Sequence, residues 1–313
     1  GADYLQNIMG FSSIKNGGTN GDVTFRGMFG SRIKMLVDGS ENLGACPNRM
    51  DAPTSYIQPE SFDQITVIKG PQTVQYATPG SAATVIFQRQ PENLSKEQPY
   101  RGQASVLMGS YGRLDHNIEA AIGDETKYAR LNANRSVADD YKDGDDNSIH
   151  SNWERWNTDL ALGWKPTDDS WLELRAGKGD GEAAYAGRSM DGSQFKRESL
   201  GLHAEQKNIT EVIKKVEAQV DYSYNDHVMD NFSLRTPPMT TMNMHGMNMT
   251  VPNKMSMRVD RRTLNTRLAV TTDWDKFSVI SGVDTQQNKH GGDMVMYDMP
   301  SMNSTYAEDL KFQ

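Results

Sequence analysis

The sequence predicts a mainly β protein: a transmembrane antiparallel β-barrel, present in part, behind a small N-terminal α+β domain. Three observations predict it. From about Arg101 onward, segment after segment alternates polar and apolar residues, the period-two mark of a strand with one apolar face. The connectors between these segments alternate strictly between short and long. Trp153, Trp156, Trp164, Trp171, Tyr222, Tyr224 and Trp274 gather near strand ends, where interfacial aromatic girdles belong.

Residues 1–97 read as the compact mixed domain. "ADYLQNIMGF" carries a short helical pattern, and "GDVTFRGMFGS", "RIKMLVDGS", "FDQITVIKGPQTV" and "SAATVIFQRQ" are short apolar runs punctuated by glycines. "QPENLSKEQPY" is polar, holds two prolines and reads as a linker. Residues 98–313 then read as the first part of a barrel. In "YARLNANR", Ala129, Leu131 and Ala133 oppose Arg130, Asn132 and Asn134. In "IKKVEAQVDYSY", Val216, Ala218, Val220, Tyr222 and Tyr224 oppose Glu217, Gln219 and Asp221. "WNTDLALGW" and "LNTRLAV" alternate in the same way. Short connectors at 123–127, 165–169, 206–211 and 273–276 separate long ones at 137–152, 178–194, 225–260 and from 286 onward. In an up-and-down barrel every second connector lies on one side, and outer-membrane barrels put short turns on one side and long loops on the other. The pattern gives about nine strands. A soluble β-domain with uneven loops is the alternative.

Composition narrows the function. The chain has 313 residues and a formal charge of −8, which argues against nucleic acid as a partner. No run of about 18 apolar residues exists, so no helix spans a membrane, a limit that barrel strands escape. Cys46 is the only cysteine, so no internal disulfide forms. The acidic stretch "DDYKDGDDNS" lacks the spacing of an EF-hand and reads as a solvated loop. No catalytic triad or carboxylate pair stands out, and the chain reads as a non-enzyme.

The first domain resembles the plug of TonB-dependent outer-membrane receptors. "TFRGMFGSRIKMLVDGS" (24–40) and "PESFDQITVIKGPQTVQYATPGSAATVIFQRQ" (59–90) carry the resemblance, with Arg26-Gly27, Asp38-Gly39 and Lys69-Gly70-Pro71 in order. The resemblance implies a bacterial outer-membrane location in a lipid bilayer and a barrel of about 22 strands. It implies an energy-transducing TonB complex as partner, contacted through a segment before Gly1, so the chain reads as incomplete at both ends.

Two short motifs carry the chemistry. "TPPMTTMNMHGMNMTVPNKMSM" (236–257) holds seven methionines, three prolines, no Leu or Ile and one Val. It reads as an external loop offering soft sulfur. Within it His245 and Met247 form a His-x-Met. In the plug, "GACPNRM" sets Cys46 and Met50 at i and i+4, which one helical turn would bring to one face. Sulfur selects Cu(I), and imidazole suits copper as well. The pair of motifs resembles that of TonB-dependent copper receptors, which implies a copper site of Cys46, Met50, His245 and Met247, with Cu(I) favoured and copper imported across the outer membrane. Met239, Met242, Met244, Met249, Met255 and Met257, and Met294, Met296, Met299 and Met302 in "GGDMVMYDMPSMNS", read as capture sites. An iron-siderophore receptor of the same fold and a soluble copper-holding β-protein are the alternatives.

Overall fold

A computed structural model of the chain describes residues 2–71, 74–75, 80–244, 246–297 and 304–310. The N-terminal domain opens with a short helix α1 (Ala2–Leu5) and an antiparallel hairpin of β1 (Phe11–Asn16) and β2 (Asn20–Phe25). Strands β3 (Ile33–Val37), β4 (Ser40–Glu41), β5 (Gln64–Lys69) and β6 (Ala83–Gln88) form a second sheet in the order β4-β3-β6-β5. β3 runs parallel to β6 and antiparallel to β4. Leu5, Phe11, Val23, Phe25, Ile57, Val85 and Phe87 close the core between hairpin and sheet. The chain turns from β3 to β4 at Asp38 and Gly39, both at positive φ, a conformation open to Gly and tolerated by Asp.

The rest is one antiparallel sheet of ten described strands. In chain order these are β7 (Tyr100–Met108), β8 (Leu114–Gly123) and β9 (Lys127–Ala138). After a small ribbon of β10 (Tyr141–Lys142) and β11 (Ser148–Ile149) come β12 (Trp153–Thr167), β13 (Ser170–Ala183), β14 (Asp191–Lys207) and β15 (Ile213–Asp230). A second ribbon, β16 (Met239–Met244) and β17 (Met247–Pro252), precedes β18 (Lys254–Trp274), β19 (Phe277–Tyr297) and β20 (Ser304–Leu310). Every strand of the large sheet pairs with its neighbour in sequence once the two ribbons are set aside, and β7 and β20 are its two edges, so the sheet is an unclosed part of a barrel.

This sheet is inside out relative to a soluble one. On β9, Leu131 is 46% exposed while Arg130, Asn132 and Asn134 are buried. Leu160, Leu162, Val220, Leu268 and Val283 face outward on their strands as well. The polar rows face the plug and bond to it. Gln219 Nε2 donates to the Asp38 carbonyl at 2.5 Å, Ser40 Oγ donates to Asp221 at 2.5 Å, and Arg155 Nη2 donates to Gln58 Oε1 at 2.6 Å. A soluble domain buries its apolar row instead, because apolar area is what burial stabilises.

Two expectations change in detail. The strands run up to 21 residues, so they absorb the ends of the long connectors: residues 225–230 belong to β15 and 254–260 to β18. The methionine-rich segment is also regular where an irregular loop was expected. Met242 sits opposite Met249 and Met244 opposite Met247 across the ribbon, with Gly246 at positive φ in the turn. Its prolines sit just before β16 and at the last position of β17, where no ladder hydrogen bond is lost.

Asp38 ties the plug to the wall. Its carboxylate meets Arg175 of β13 at 2.8 Å and Arg89 at 3.3 Å, and accepts the Arg89 backbone N–H at 2.7 Å. Burial works to raise its pKa, but the two guanidinium groups and the backbone donor outweigh it and hold the carboxyl below its ordinary range. A depressed acid stabilises the fold above its unfolded pKa of about 3.9, and the contribution fades as pH falls through the folded value. Asp38→Asn keeps the turn geometry and removes the charge. Denaturation in detergent at neutral pH should show a loss of about 3 kcal/mol, with the difference from the unchanged chain closing below about pH 4. An equal difference at all pH values would contradict the charge assignment.

Candidate metal centre

The loop carrying Cys46 is organised by one buried carboxylate. Asp51, with no exposed surface, accepts the backbone N–H of Ala45 at 2.7 Å and of Cys46 at 2.8 Å, and the Tyr56 hydroxyl at 2.6 Å. Gly44 passes so close that an added Cβ would lie 2.0 Å from the Asp51 carbonyl oxygen, which only glycine permits. Cys46 to Arg49 is a β-turn closed by the Arg49 N–H on the Cys46 carbonyl at 2.9 Å, with Pro47 at its second position. A helical turn was the expectation. Arg49 breaks it by adopting φ of 55°, held there by a two-pronged ion pair with Asp22. The turn still folds Met50 back, so that its backbone N–H and that of Asn48 are aimed at the Cys46 sulfur.

Electrostatics keep this thiol protonated in the free protein. Burial pushes the Cys46 pKa up, and the nearby Asp51 charge adds to it, while the two backbone N–H groups and Arg188 pull the other way. Burial and Asp51 also push Tyr56 well above the ordinary phenol range, so its hydroxyl remains a donor.

Cys46 and Met50 lie in one buried cluster with Tyr56 from the plug and Ala183, Tyr185, Phe195, Met229 and Val259 from the wall. Met190 and Met257 pack against it. The cluster sits at the long-connector end of the wall. There Asn225 Nδ2 donates to the Leu43 carbonyl at 2.5 Å and Arg261 Nη1 to the Gly44 carbonyl at 3.1 Å, pinning the loop to β15 and β18.

Beside the cluster is a histidine that sequence reasoning missed. His227 is fully buried, and its cross-strand partners are Phe195 and Val259, both cluster members. Its ring lies 4.4 Å from that of Phe195. Nδ1 is 2.8 Å from the Gln194 carbonyl, an acceptor only, so Nδ1 donates its proton there. Nε2 has no hydrogen-bond partner among the described residues. Such an orphan is costly and calls for a ligand. His227 and Met229 form a His-x-Met on a strand, where i and i+2 share a face.

The structure therefore gathers Cys46 and Met50 with Met229, and sets His227 against the same cluster. Met247 stands apart on the ribbon, 67% exposed and outside the cluster. His245 lies outside the described residues, as do Met299 and Met302. Other methionines line up by register: Met229 opposes Met257, which opposes Met294, and Met255 opposes Met296. The acidic stretch spends its oxygens on its own backbone. Asp140 accepts from Ser151 and Asn152, and Asp143 from Asp145 and Asn147, so it is a built turn with no call for an ion.

Residues 1–85 match the TonB-dependent receptor plug domain. The chain is similar to the structure of the copper transporter OprC at 53% identity and a TM-score of 0.91, covering 97% of this chain and 46% of that one. It therefore spans less than half the length of that relative. It is also similar in fold to the siderophore receptor PirA from Acinetobacter baumannii (15% identity, TM-score 0.61, 95% of this chain and 46% of that one). The ferric yersiniabactin uptake receptor FyuA from Yersinia pestis is similar at 12% identity and a TM-score of 0.60, over 99% of this chain and 57% of that one. Among curated proteins none matches the chain.

The thiol assignment has a direct check, because Cys46 is the only cysteine. Alkylation of the metal-free protein should titrate with a midpoint above the ordinary thiol value of about 8.5. Asp51→Asn removes a charge that raises it, so the midpoint should fall. A midpoint that stays or rises in the variant would show that Asp51 does not act on the thiol.

Proposed function

Since the chain belongs to the TonB-dependent receptor family and is of the OprC type, we propose that it binds copper between plug and wall and imports it across the bacterial outer membrane. The observation that carries the reading is the buried meeting of Cys46 and Met50 with Met229, beside the unpartnered Nε2 of His227. A thiolate, two thioethers and an imidazole make a soft four-ligand set that favours Cu(I). In this reading the expected His-x-Met at His245 and Met247 serves as a capture pair, with Met247 exposed on the ribbon. Exposed Met239 and Met249 lie on the same ribbon, and the register line of Met294, Met257 and Met229 continues toward Cys46.

The domain division follows from this reading, with the stopper at 1–97 and the wall from 98. Copper entry expels the Cys46 proton, so one positive charge replaces another in a buried space. Below the thiol pKa, apparent affinity then strengthens with pH by up to about tenfold per unit. The energised TonB partner of the family draws on the plug, and its movement separates the plug ligands from the wall ligands. The cycle is one of binding and release, without covalent turnover.

Metal analysis of the full-length receptor after loading with Cu(I) under reducing conditions and desalting tests the site. The unchanged protein should retain about one copper per chain, and Cys46→Ala should lose nearly all of it. His227→Phe, which keeps the ring stacked on Phe195, should bind with at least tenfold lower affinity. His245→Ala should keep the tight copper and slow only its uptake from dilute solution. Equal retention in Cys46→Ala would end the copper reading. Loss in His245→Ala with none in His227→Phe would return the site to the ribbon.

A further inference from the structure

A second cluster of metal-binding side chains lies at the far end of the seam. His203 and Glu205, two apart on β14, share a face, and Glu217 on β15 is the cross-strand partner of Glu205. Their ligand atoms all fall within 4.8 Å of one another. They line a cavity of about 320 Å³ between the wall and the plug turn at Asp38–Gly39. The connector from β14 to β15 is one of the short ones, so this cavity opens on the short-turn side. Phe195, in the sulfur-rich cluster, is about 26 Å away along β14.

The electrostatics of the cluster are incomplete as they stand. Two carboxylates opposite each other on neighbouring strands repel. Lys207 at 3.4 Å from Glu205 and Lys215 at 3.2 Å from Glu217 offset that charge from the outside. The His203 ring rests on Trp171 with centroids 4.6 Å apart, and its Nε2 is buried without a hydrogen-bond partner among the described residues. The nearest Glu205 oxygen is 3.8 Å from that nitrogen, too far for a hydrogen bond but right for two groups that share an ion. Ligand bonds of about 2.0–2.2 Å to one centre put donors roughly 3–4 Å apart.

We propose that His203, Glu205 and Glu217 form a divalent transition-metal site on the short-turn side of the plug. One imidazole and two carboxylates suit a borderline ion such as Cu(II) or Zn(II) and suit Cu(I) poorly. The site is thus distinct in chemistry from the sulfur cluster above it. The lysines are its competitors: binding a dication releases both ammonium groups from the carboxylates.

Cu(II) titration of the full-length receptor carrying Cys46→Ala, His227→Phe and His245→Ala isolates this site from the upper one and from the capture pair. Electron paramagnetic resonance should show one bound Cu(II) with a single nitrogen and oxygen ligands. His203→Gln should remove the nitrogen coupling and weaken binding at least tenfold, and Glu217→Gln should weaken it similarly. Lys207→Met with Lys215→Met should tighten binding several-fold, a gain that a folding defect cannot produce. No bound Cu(II), a spectrum unchanged in His203→Gln, or weaker binding in the lysine variant would overturn the proposal. Each of these outcomes leaves the Cu(I) retention of the unchanged protein unaffected, so the two readings fail separately.

Discussion

The whole arrangement depends on the large sheet turning its polar row toward the plug. A sheet with Leu131, Val220 and Leu268 outside and Arg130, Gln219 and Arg267 inside cannot close over an apolar core. It needs an interior body with polar groups to bond. The plug supplies these as backbone carbonyls at turns: Asp38, Leu43 and Gly44 each accept from a wall side chain. Turns are places where a small domain presents carbonyls that its own sheets leave unpaired. The wall therefore grips the plug by its loops, and one of those loops carries Cys46.

That grip explains the position of the sulfur cluster. Asn225 and Arg261 are cross-strand neighbours on β15 and β18, and they fix the loop at Leu43 and Gly44. The next inward residues toward the long connectors are His227 and Met229 on β15 and Val259 and Met257 on β18. Two residues further along the loop is Cys46. The loop and the strands rise together, so these side chains meet at one height. Asp51 then sets the shape of the loop with three accepted hydrogen bonds, none of which involves the wall. Shape comes from within the plug and placement from outside it.

Much of this was legible in the sequence. The parity of "IKKVEAQVDYSY" assigned Gln219 and Asp221 to one face, and both bond the plug. Extending the same parity past Tyr224 puts Asn225, His227 and Met229 on that face. The signal for the buried His-x-Met was therefore present. It was masked because polar "NDH" looked like the start of a long connector, whereas a barrel strand stays ordered beyond its apolar stretch when its inner face has a plug to bond. The richer methionine segment drew attention to His245 and Met247 through its unmixed composition, and the described Met247 there is exposed. The Cys46 turn was illegible in its conformation. Arg49 adopts positive φ, and its guanidinium is held by Asp22, far away in sequence, a partner that local spacing does not reveal.

In the proposed mechanism, the division of ligands between two bodies is what permits release. A site built wholly in the plug would carry its ion along with any plug motion. One built wholly in the wall would be indifferent to that motion. With Cys46 and Met50 on one body and His227 and Met229 on the other, a displacement of a few ångströms leaves each side with only half the set. A bond of about 2.0–2.3 Å cannot stretch that far. The first contacts to yield need not be those to copper, since Asn225 and Arg261 hold the same loop. Work done on the plug must therefore break the Leu43 and Gly44 hydrogen bonds together with the wall ligands, which couples release of the ion to withdrawal of the loop and protects it from leakage at rest.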